Sequence, residues 1–504
     1  EYKIPEIVSM IENKEIDIPE LQREFVWSSN QVKELAESIY KNYPIGSITL
    51  YKLPVDWIKK ERYWILDGQQ RLLSLTLIMK GRVEAIKEGK MQIINANIKF
   101  DPMEGKFELR SPRKGENWVI LSEVLRIDTR RELERYLRSK HLNPEEQEKV
   151  STLWSVFRGD YKVLIHELSE DLDLDDLGNI FVRTNFAGTR VRGSDVYSTM
   201  IAITQRNLVK ELRDFCGKLS IEIDYGILIR TFIAFLTQGR VKLASRVLDQ
   251  ARKLKEELAK YEPQIETVVE NVKKCIEEAI NILVKEMDIM SSRFLPTENV
   301  LPVMAYYINK KKSLSHEDKE GILKWFVLAS YFGRYSSGSE TRLNEDLSEI
   351  EKGGSYIHLI KKLEAHEGNL KDRIKEDISN GRLNKLLLYA ILKQENAKDL
   401  KTQENLTTNN LEVHHIFPKS FLVGSEYNEI LDDVGNITLV TSSTNQSLSS
   451  ELPEKYLEKI PPEIRNAHLI PSDQNLWKLK NCKEFVETRK KHLKESVERF
   501  FKIF

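Results

Sequence analysis

Two of the nine histidines in this 504-residue chain, His414 and His415, stand side by side within Leu411–Ser420 (LEVHHIFPKS). Pro418 follows three residues after His415. The run Gly435-Asn436-Ile437-Thr438-Leu439 comes next, and Asn445 stands nine residues beyond Asn436. Imidazoles and amide oxygens in that order suit a divalent cation with an imidazole beside it to move a proton. The pattern points to a nuclease site controlled by the chain that precedes it. A second chemical stretch is Asp67-Gly68-Gln69-Gln70-Arg71. A polar glycine turn between an apolar run and a helical period offers free backbone N–H groups, the positive end of a helix dipole and a forked guanidinium, all suited to phosphate. The same residues fit a capped turn with a surface arginine equally well, because every helix start has free N–H groups.

Each stretch needs elements to hold it. Ser28-Ser29-Asn30 offers N-cap oxygens, and Val32, Leu35, Ala36 and Ile39 recur at helical spacing up to Tyr43-Pro44. Ile45–Leu53 reads as a strand, and Tyr63-Trp64-Ile65-Leu66 as a short buried strand ending in the Asp67–Arg71 turn. Leu72, Leu75, Thr76 and Met79 then resume a helical period. Ile180–Val182 reads as a strand before a polar loop, Arg183-Thr184-Asn185-Phe186-Ala187-Gly188-Thr189. Upstream, Gln22-Arg23 sits among apolar anchors in Ile18–Trp27. From about Ser198 to Ala397 the pattern is helical and scaffold-like, with Pro263 splitting or kinking Arg246–Met287. Trp325–Phe332 is an apolar helix that runs into Gly333–Arg342 (GRYSSGSETR). There Arg334 and Arg342 could hold a phosphate backbone, although a flexible interdomain loop capped by Ser and Thr fits slightly better. Lys398–Asn410 is polar and aperiodic, and a boundary is expected there. Leu411–Phe417 and Gly435–Val440 read as short extended elements, and Arg489–Phe504 as a basic amphipathic helix.

The motifs IPELQREFVW, YPIGSI, ILDGQQRLLSL and IFVRTNFAGT, taken together over residues 1–200, resemble the ParB-like (sulfiredoxin-like) N-terminal domain of GmrSD-type, modification-dependent restriction enzymes. The resemblance implies a domain that binds or hydrolyses nucleotide and helps to sense modified DNA. Carried over, Asp67, Gly68, Gln69, Gln70 and Arg71 form the nucleotide-contacting motif, with Arg71 on the phosphates and Asp67 on a metal, a water or a ribose hydroxyl. Gln22, Arg23, Arg183 and Asn185 become neighbours of that pocket.

HHIFP, GNITL and Asn445, over about residues 405–504, resemble the HNH (ββα-metal) endonucleases found at the C-terminus of the same enzymes. The family pattern, with register fixed on the proline, implies His415 as general base, His414 and Asn445 as metal ligands, and Asn436 as the residue holding the turn. A neutral imidazole can take a water's proton near pH 7, since its ordinary pKa is about 6.5. The chain departs from the family at His414, where many members carry Asp or Glu. A histidine ligand suits softer cations, so Mg²⁺ is expected to work, with Mn²⁺ open to working better. Glu412 shares a strand face with His414 and is a candidate ligand or a group that fixes the His414 tautomer. Lys419 and the helix bearing Arg489, Lys490, Lys491 and Lys494 are candidates for the DNA backbone, although a solvated face explains that helix equally well.

Composition bounds the reading. Length alone suggests about three domains: a sensor over residues 1–200, a helical scaffold over 201–400 and a nuclease over 401–504. The expected fold class is α+β, with a ParB-like α/β N-terminal domain, a helical middle and a ββα-metal C-terminal domain. Lys+Arg and Asp+Glu are both 78, so DNA must be held by local basic patches and not by a global field. Cys216, Cys275 and Cys482 are far apart and form no CxxC, which argues against a zinc knuckle or a disulfide framework and fits a reducing cytoplasm. No apolar run is long enough to span a membrane, and the start of the chain shows no signal peptide. The expected partners are DNA, a nucleoside triphosphate of unspecified base and a divalent cation, with homo-oligomerisation open. The leading expectation is a DNA endonuclease of anti-phage defence, controlled by a nucleotide-binding domain that senses modification. The mark is a sugar on hydroxymethylcytosine for the GmrSD type; related two-domain proteins respond to phosphorothioate in the host's own DNA. The alternatives are a nucleotide-switched DNA-binding regulator with a vestigial nuclease site, and a nuclease toxin acting on RNA or unmodified DNA.

Overall fold

The structure is a computed structural model. It describes residues 1–17, 25–53, 62–87, 90–113, 116–172, 205–243, 247–448 and 450–502, together with residues 176, 180, 197 and 201. Gln22, Arg23, Arg183 and Asn185, and the strand expected over 180–182 beyond Ile180, lie outside the described residues. By its contacts the chain divides into two compact units, Glu1–Gly217 with Ala244–Glu256, and Lys218–Leu243 with Glu257–Phe504. Both mix helices with small sheets. No helix among the described residues is long and apolar enough to cross a membrane.

In the first unit, β1 (Tyr2–Lys3), α1 (Ile4–Glu12) and β2 (Ile16–Asp17) lead to α2 (Ser29–Tyr40). Ser28 caps α2 through the Gln31 N–H, and the Gln31 side chain returns to the Ser28 N–H, as the hydroxyl cluster predicts. β3 (Ile48–Lys52) and β4 (Tyr63–Asp67) pair antiparallel, and α3 (Gln69–Lys80) follows β4 directly. A hairpin of β5 (Arg82–Lys87) and β6 (Lys90–Asn95) comes next, then β7 (Lys99–Asp101), β8 (Lys106–Glu108) and β9 (Val119–Ile120) as a separate three-stranded sheet. β10 (Lys162–Val163) pairs with β1, and β11 (Ile165–Leu168) lies parallel to β3, completing a four-stranded sheet in the order β11-β3-β4-β2. α3 is buried at every position from Leu72 to Met79, so it is the core helix of this unit and not an amphipathic cover.

The second unit is built on helices, among them Tyr225–Leu236, Ile265–Met287, Val300–Lys311, His316–Tyr331 and Ser339–Glu351. Pro263 falls in the tight turn Glu262–Gln264 between the helices Val247–Lys260 and Ile265–Met287, so the interrupted pattern is two helices. Leu370–Ser379 and Lys385–Gln394 pack on the long terminal helix Cys482–Lys502. Between them run β12 (Leu411–His415) and β13 (Ile437–Thr441), an antiparallel pair in which His414 faces Thr438 and His415 faces Ile437, followed by the helix Ser442–Leu448.

Residues 398–410 are not a loose linker. Asp399 is fully buried: its carboxylate accepts the Thr441 N–H (2.7 Å), the Thr444 hydroxyl (2.6 Å) and the N–H groups of Lys401 and Thr402. Those bonds hold its carboxyl below the usual range despite burial. The polarity of this stretch ties it to the end of β13.

Candidate nuclease and nucleotide sites

β12 alternates its side chains, so Glu412 and His414 share one face and His415 points to the other. His414 is 1% exposed, and burial pushes its pKa down to about 4, so the ring is neutral. Its Nδ1 lies 2.9 Å from Asn445 Oδ1, and its Nε2 lies 3.3 Å from the Tyr456 hydroxyl. Glu412 fixes the Asn445 amide. An ionised carboxylate can only accept, so it is Nδ2 that faces Glu412 Oε2, at 2.8 Å, while Oε1 takes the Ser442 hydroxyl. The Asn445 oxygen is thereby aimed at His414. Glu412 therefore orients Asn445 and, through it, presents an oxygen to His414 Nδ1.

Which ring nitrogen of His414 carries the proton is tied to the Tyr456 hydroxyl. That hydroxyl has one proton, and the Ile416 carbonyl stands 3.1 Å away to accept it. With that bond made, the hydroxyl oxygen accepts from His414 Nε2–H, and the Nδ1 lone pair faces the Asn445 oxygen. In the other arrangement Nδ1–H donates to Asn445 and the Ile416 carbonyl loses the hydroxyl. The first arrangement sets two acceptors 2.9 Å apart, the spacing of neighbouring ligands that each lie about 2.1 Å from a small divalent cation. Among the described residues no group of three or more His, Cys, Asp or Glu is placed to hold a metal. A cation here would therefore rest on one imidazole and one amide oxygen, with water or phosphate oxygens completing the shell. The donor set fits such an ion.

His415 is half-buried. Desolvation is the main influence on its pKa and lowers it, while the hydrogen bond to Asp432 opposes the shift. Its Nε2 lies 3.1 Å from Asp432 Oδ1, and Asp432 also lies 3.6 Å from Lys419 Nζ. With Nε2–H donated to Asp432, Nδ1 carries the free lone pair. Asn436 is fully buried and ties the turn to β12: its Oδ1 accepts the Phe417 N–H (2.8 Å), and its Nδ2 donates to the Phe417 and Leu431 carbonyls.

Three of the expected DNA contacts, Arg489, Lys490 and Arg334, are corrected by burial. Arg489 is 0% exposed; its Nη1 donates to the carbonyls of Val434, Gly435 and Ile437, and its Nε to that of His468. It clamps the turn that carries Asn436. Lys490 is buried between Asp433, Glu487 and the Ser379 carbonyl. Arg334 is 0% exposed and pairs with both Asp346 oxygens (2.9 and 2.7 Å) and with Glu345, while Tyr335 donates to Asp346. Arg342 is half-buried and donates to the Arg334 carbonyl. The Gly333–Arg342 stretch is thus an internal hub leading into the helix Ser339–Glu351, neither a phosphate clamp nor an interdomain loop. Lys419, 56% exposed, and Lys491 keep their charges at the surface.

In the first unit, Gly68 takes φ +90° at the strand-to-helix corner and, as the N-cap of α3, contributes no side-chain cap. Arg71 lies against this corner. Its Nη2 is 2.9 Å from Asp67 Oδ2 and its Nη1 is 3.3 Å from the Ile45 carbonyl. A β-carbon on Gly46 would stand 2.2 Å from that Nη1, so the glycine of YPIGSI makes the room in which Arg71 lies. Gln70 Oε1 accepts the N–H groups of Val26 and Trp27, fastening the segment after residues 18–24 to the motif. Asp67, Gly68, Gln70 and Arg71 are therefore gathered at one corner. Asp432, Tyr456, Ser442 and Asp399 were not singled out from sequence. They lie 17 to 45 residues from their partners in the segments around β12 and β13, Ser442 and Tyr456 on short helices, and no local pattern marks them.

One unit carries a strand–glycine–helix corner and the other a histidine–asparagine hairpin, and both fall within stretches that match the domains of a restriction endonuclease. Residues 4–201 match the N-terminal domain of the GmrSD restriction endonuclease and residues 366–496 match the GmrSD C-terminal domain. Together these cover about two thirds of the chain, which belongs to the GmrSD restriction endonuclease family. It is also similar to an uncharacterized protein of Methanocaldococcus jannaschii, 23% identical over 527 aligned positions that span 92% of this chain and 88% of the relative.

Proposed function

We propose that the chain is a modification-dependent DNA endonuclease of anti-phage defence in the cytoplasm. In this reading residues 401–504 cut, 201–400 are scaffold, and 1–200 bind a nucleoside triphosphate and sense the mark. The observation that carries the nuclease half is the convergence of His414 Nδ1 and Asn445 Oδ1, 2.9 Å apart, one residue from a neutral His415 oriented by Asp432. His414 and Asn445 would hold a divalent cation, Mg²⁺ or Mn²⁺, which when bound neutralises charge on the phosphoryl and leaving 3′ oxygens. His415 takes the proton of the attacking water at Nδ1 while Asp432 keeps Nε2–H in place and stabilises the imidazolium that forms. Lys419, an exposed cation beside Asp432, would meet the phosphate backbone. The control half rests on the corner formed by Asp67, Gly68 and Arg71, where phosphates would meet the first N–H groups of α3 and the Arg71 fork.

One observation favours a second reading, a nucleotide-switched DNA-binding regulator with a vestigial nuclease site: with Nδ1–H donated to Asn445 and the Tyr456 hydroxyl donated to Nε2, both His414 ring nitrogens are satisfied without a cation. Incubating wild type, His415→Ala and Arg71→Ala proteins with glucosylated, phosphorothioated and plain plasmids, with and without NTP and with Mg²⁺ or Mn²⁺, separates the two. The endonuclease reading expects metal-dependent cleavage that depends on the mark, is lost in His415→Ala and is deregulated in Arg71→Ala. No cleavage by wild type under any condition, with NTP-dependent DNA binding retained, would establish the regulator instead.

A further inference from the structure

The helix Arg130–Ser139 in the first unit buries Leu133 and Leu137 and turns its opposite face to solvent. Arg131, Arg135 and Arg138 stand at i, i+4 and i+7 on that outward face, within about 60° of one another and along about 10 Å of helix. All three are exposed, and none makes an ion pair or hydrogen bond within the described residues. Several neighbouring cations do, although the adjacent Arg130 does not: Lys140 pairs with Glu123 (3.5 Å), Arg158 with Asp128 (2.7 Å), Lys149 with Glu145 (3.1 Å) and Arg110 with Glu116 (2.9 Å). Of the two acids on the helix, Glu132 is turned back to the Thr129 N–H as part of the N-terminal capping box. Glu134 lies at the edge of the stripe without an ion pair. Arg131 also sits in the first turn, where the helix dipole disfavours a cation, and like charges at i, i+4 disfavour each other. Local stability therefore does not explain the arrangement.

We propose that the Arg131–Arg135–Arg138 stripe is a DNA-backbone contact surface of the first unit, used by the protein to hold the duplex independently of the nuclease site. In a chain with no net charge, a row of unpaired arginines is a local source of positive field for a polyanion. Guanidinium forks suit phosphate oxygens better than ammonium groups do. The inference rests on the reading that the chain acts on DNA and adds to it a place where DNA is held.

The test is binding of a fluorescent 30-base-pair duplex to the full chain across a salt series. Arg131→Gln/Arg135→Gln/Arg138→Gln is compared with a control that loses the same three charges from other exposed positions of this unit, Lys14→Gln/Lys41→Gln/Lys162→Gln. The stripe variant is expected to bind at least about tenfold more weakly at low salt, with a log–log salt slope shallower by about 2 to 3, since each phosphate contact contributes about 0.9. The control is expected to keep both. Unchanged affinity and slope in the stripe variant, or equal losses in the two variants, would overturn the proposal. His415→Ala bears only on the nuclease reading: it is expected to bind as wild type, and cutting by that variant would sink the catalytic assignment without touching the stripe.

Discussion

Asp432 and Glu412 do parallel work on two different side chains. Each is a carboxylate that aims one group: Asp432 holds His415 Nε2, and Glu412 holds the Asn445 amide. Asp432 is 71% exposed, so its removal leaves the core alone. Asp432→Asn is expected to keep the melting temperature and slow single-turnover cleavage by about tenfold, the size of effect seen when an outer orienting group is lost. An unchanged rate would remove Asp432 from the account. At the other site the residue to test is Gly46. Gly46→Ala places a methyl where Arg71 Nη1 lies and forces a left-handed φ of +80° on alanine. It is expected to cost about 1 kcal/mol of stability and to weaken NTP binding, measured by calorimetry, as far as Arg71→Ala does. The histidines, Asn445, Asn436 and the Asp67–Arg71 turn were legible in the sequence because their chemistry lies in short local patterns. Asp432 and Tyr456 were not, because an aspartate in a loop and a tyrosine 42 residues after His414 acquire a role only when the chain folds back.

At the scale of elements, the turn at 433–437 is held by the terminal helix. Gly435 packs so closely that a β-carbon would lie 2.6 Å from the Val486 carbonyl, and Arg489 covers three carbonyls of the turn. The basic pattern of 489–504 suggested a surface. Yet a single guanidinium with several backbone carbonyls to satisfy is more useful buried, and sequence periodicity cannot distinguish a cation facing water from one facing carbonyls. The helix itself, like β12, β4 and α2, was legible from spacing; the role of its arginine depended on a contact 52 to 55 residues away. His468 belongs to the same assembly. Its Nδ1 accepts from Thr438 and its Nε2–H donates to the Lys398 carbonyl, both at 2.7 Å, and burial pushes its pKa down to about 4. Between pH 6.5 and 4 the unfolded chain takes a proton that the folded ring refuses, so stability present above pH 6.5 is lost as pH falls toward 4. The loss is on the order of 3 kcal/mol for this group. Urea melts of the wild type from pH 7 to 4.5 should show this decline, and His468→Asn should flatten it; an equal slope in the variant would contradict the assignment.

For the molecule as a whole, the formal charges balance and the two candidate sites lie on separate compact units. The mixed α+β class and the family were legible from motif order. The helical middle was legible only as helices: amphipathic periodicity shows that a face is buried but not against what, and so the Arg334–Asp346 hub went unseen. Residues 398–410 showed only polarity without periodicity, which does not reveal a buried carboxylate with four partners such as Asp399. The central claim is that His415 is the base of a nuclease site. The most direct measurement is single-turnover cleavage of modified plasmid in Mn²⁺ by wild type and His415→Ala at matched concentration, with circular dichroism to verify the fold. The account predicts that the folded variant is slower by at least about a hundredfold, the usual contribution of a general base. Cleavage by His415→Ala at the wild-type rate would contradict it.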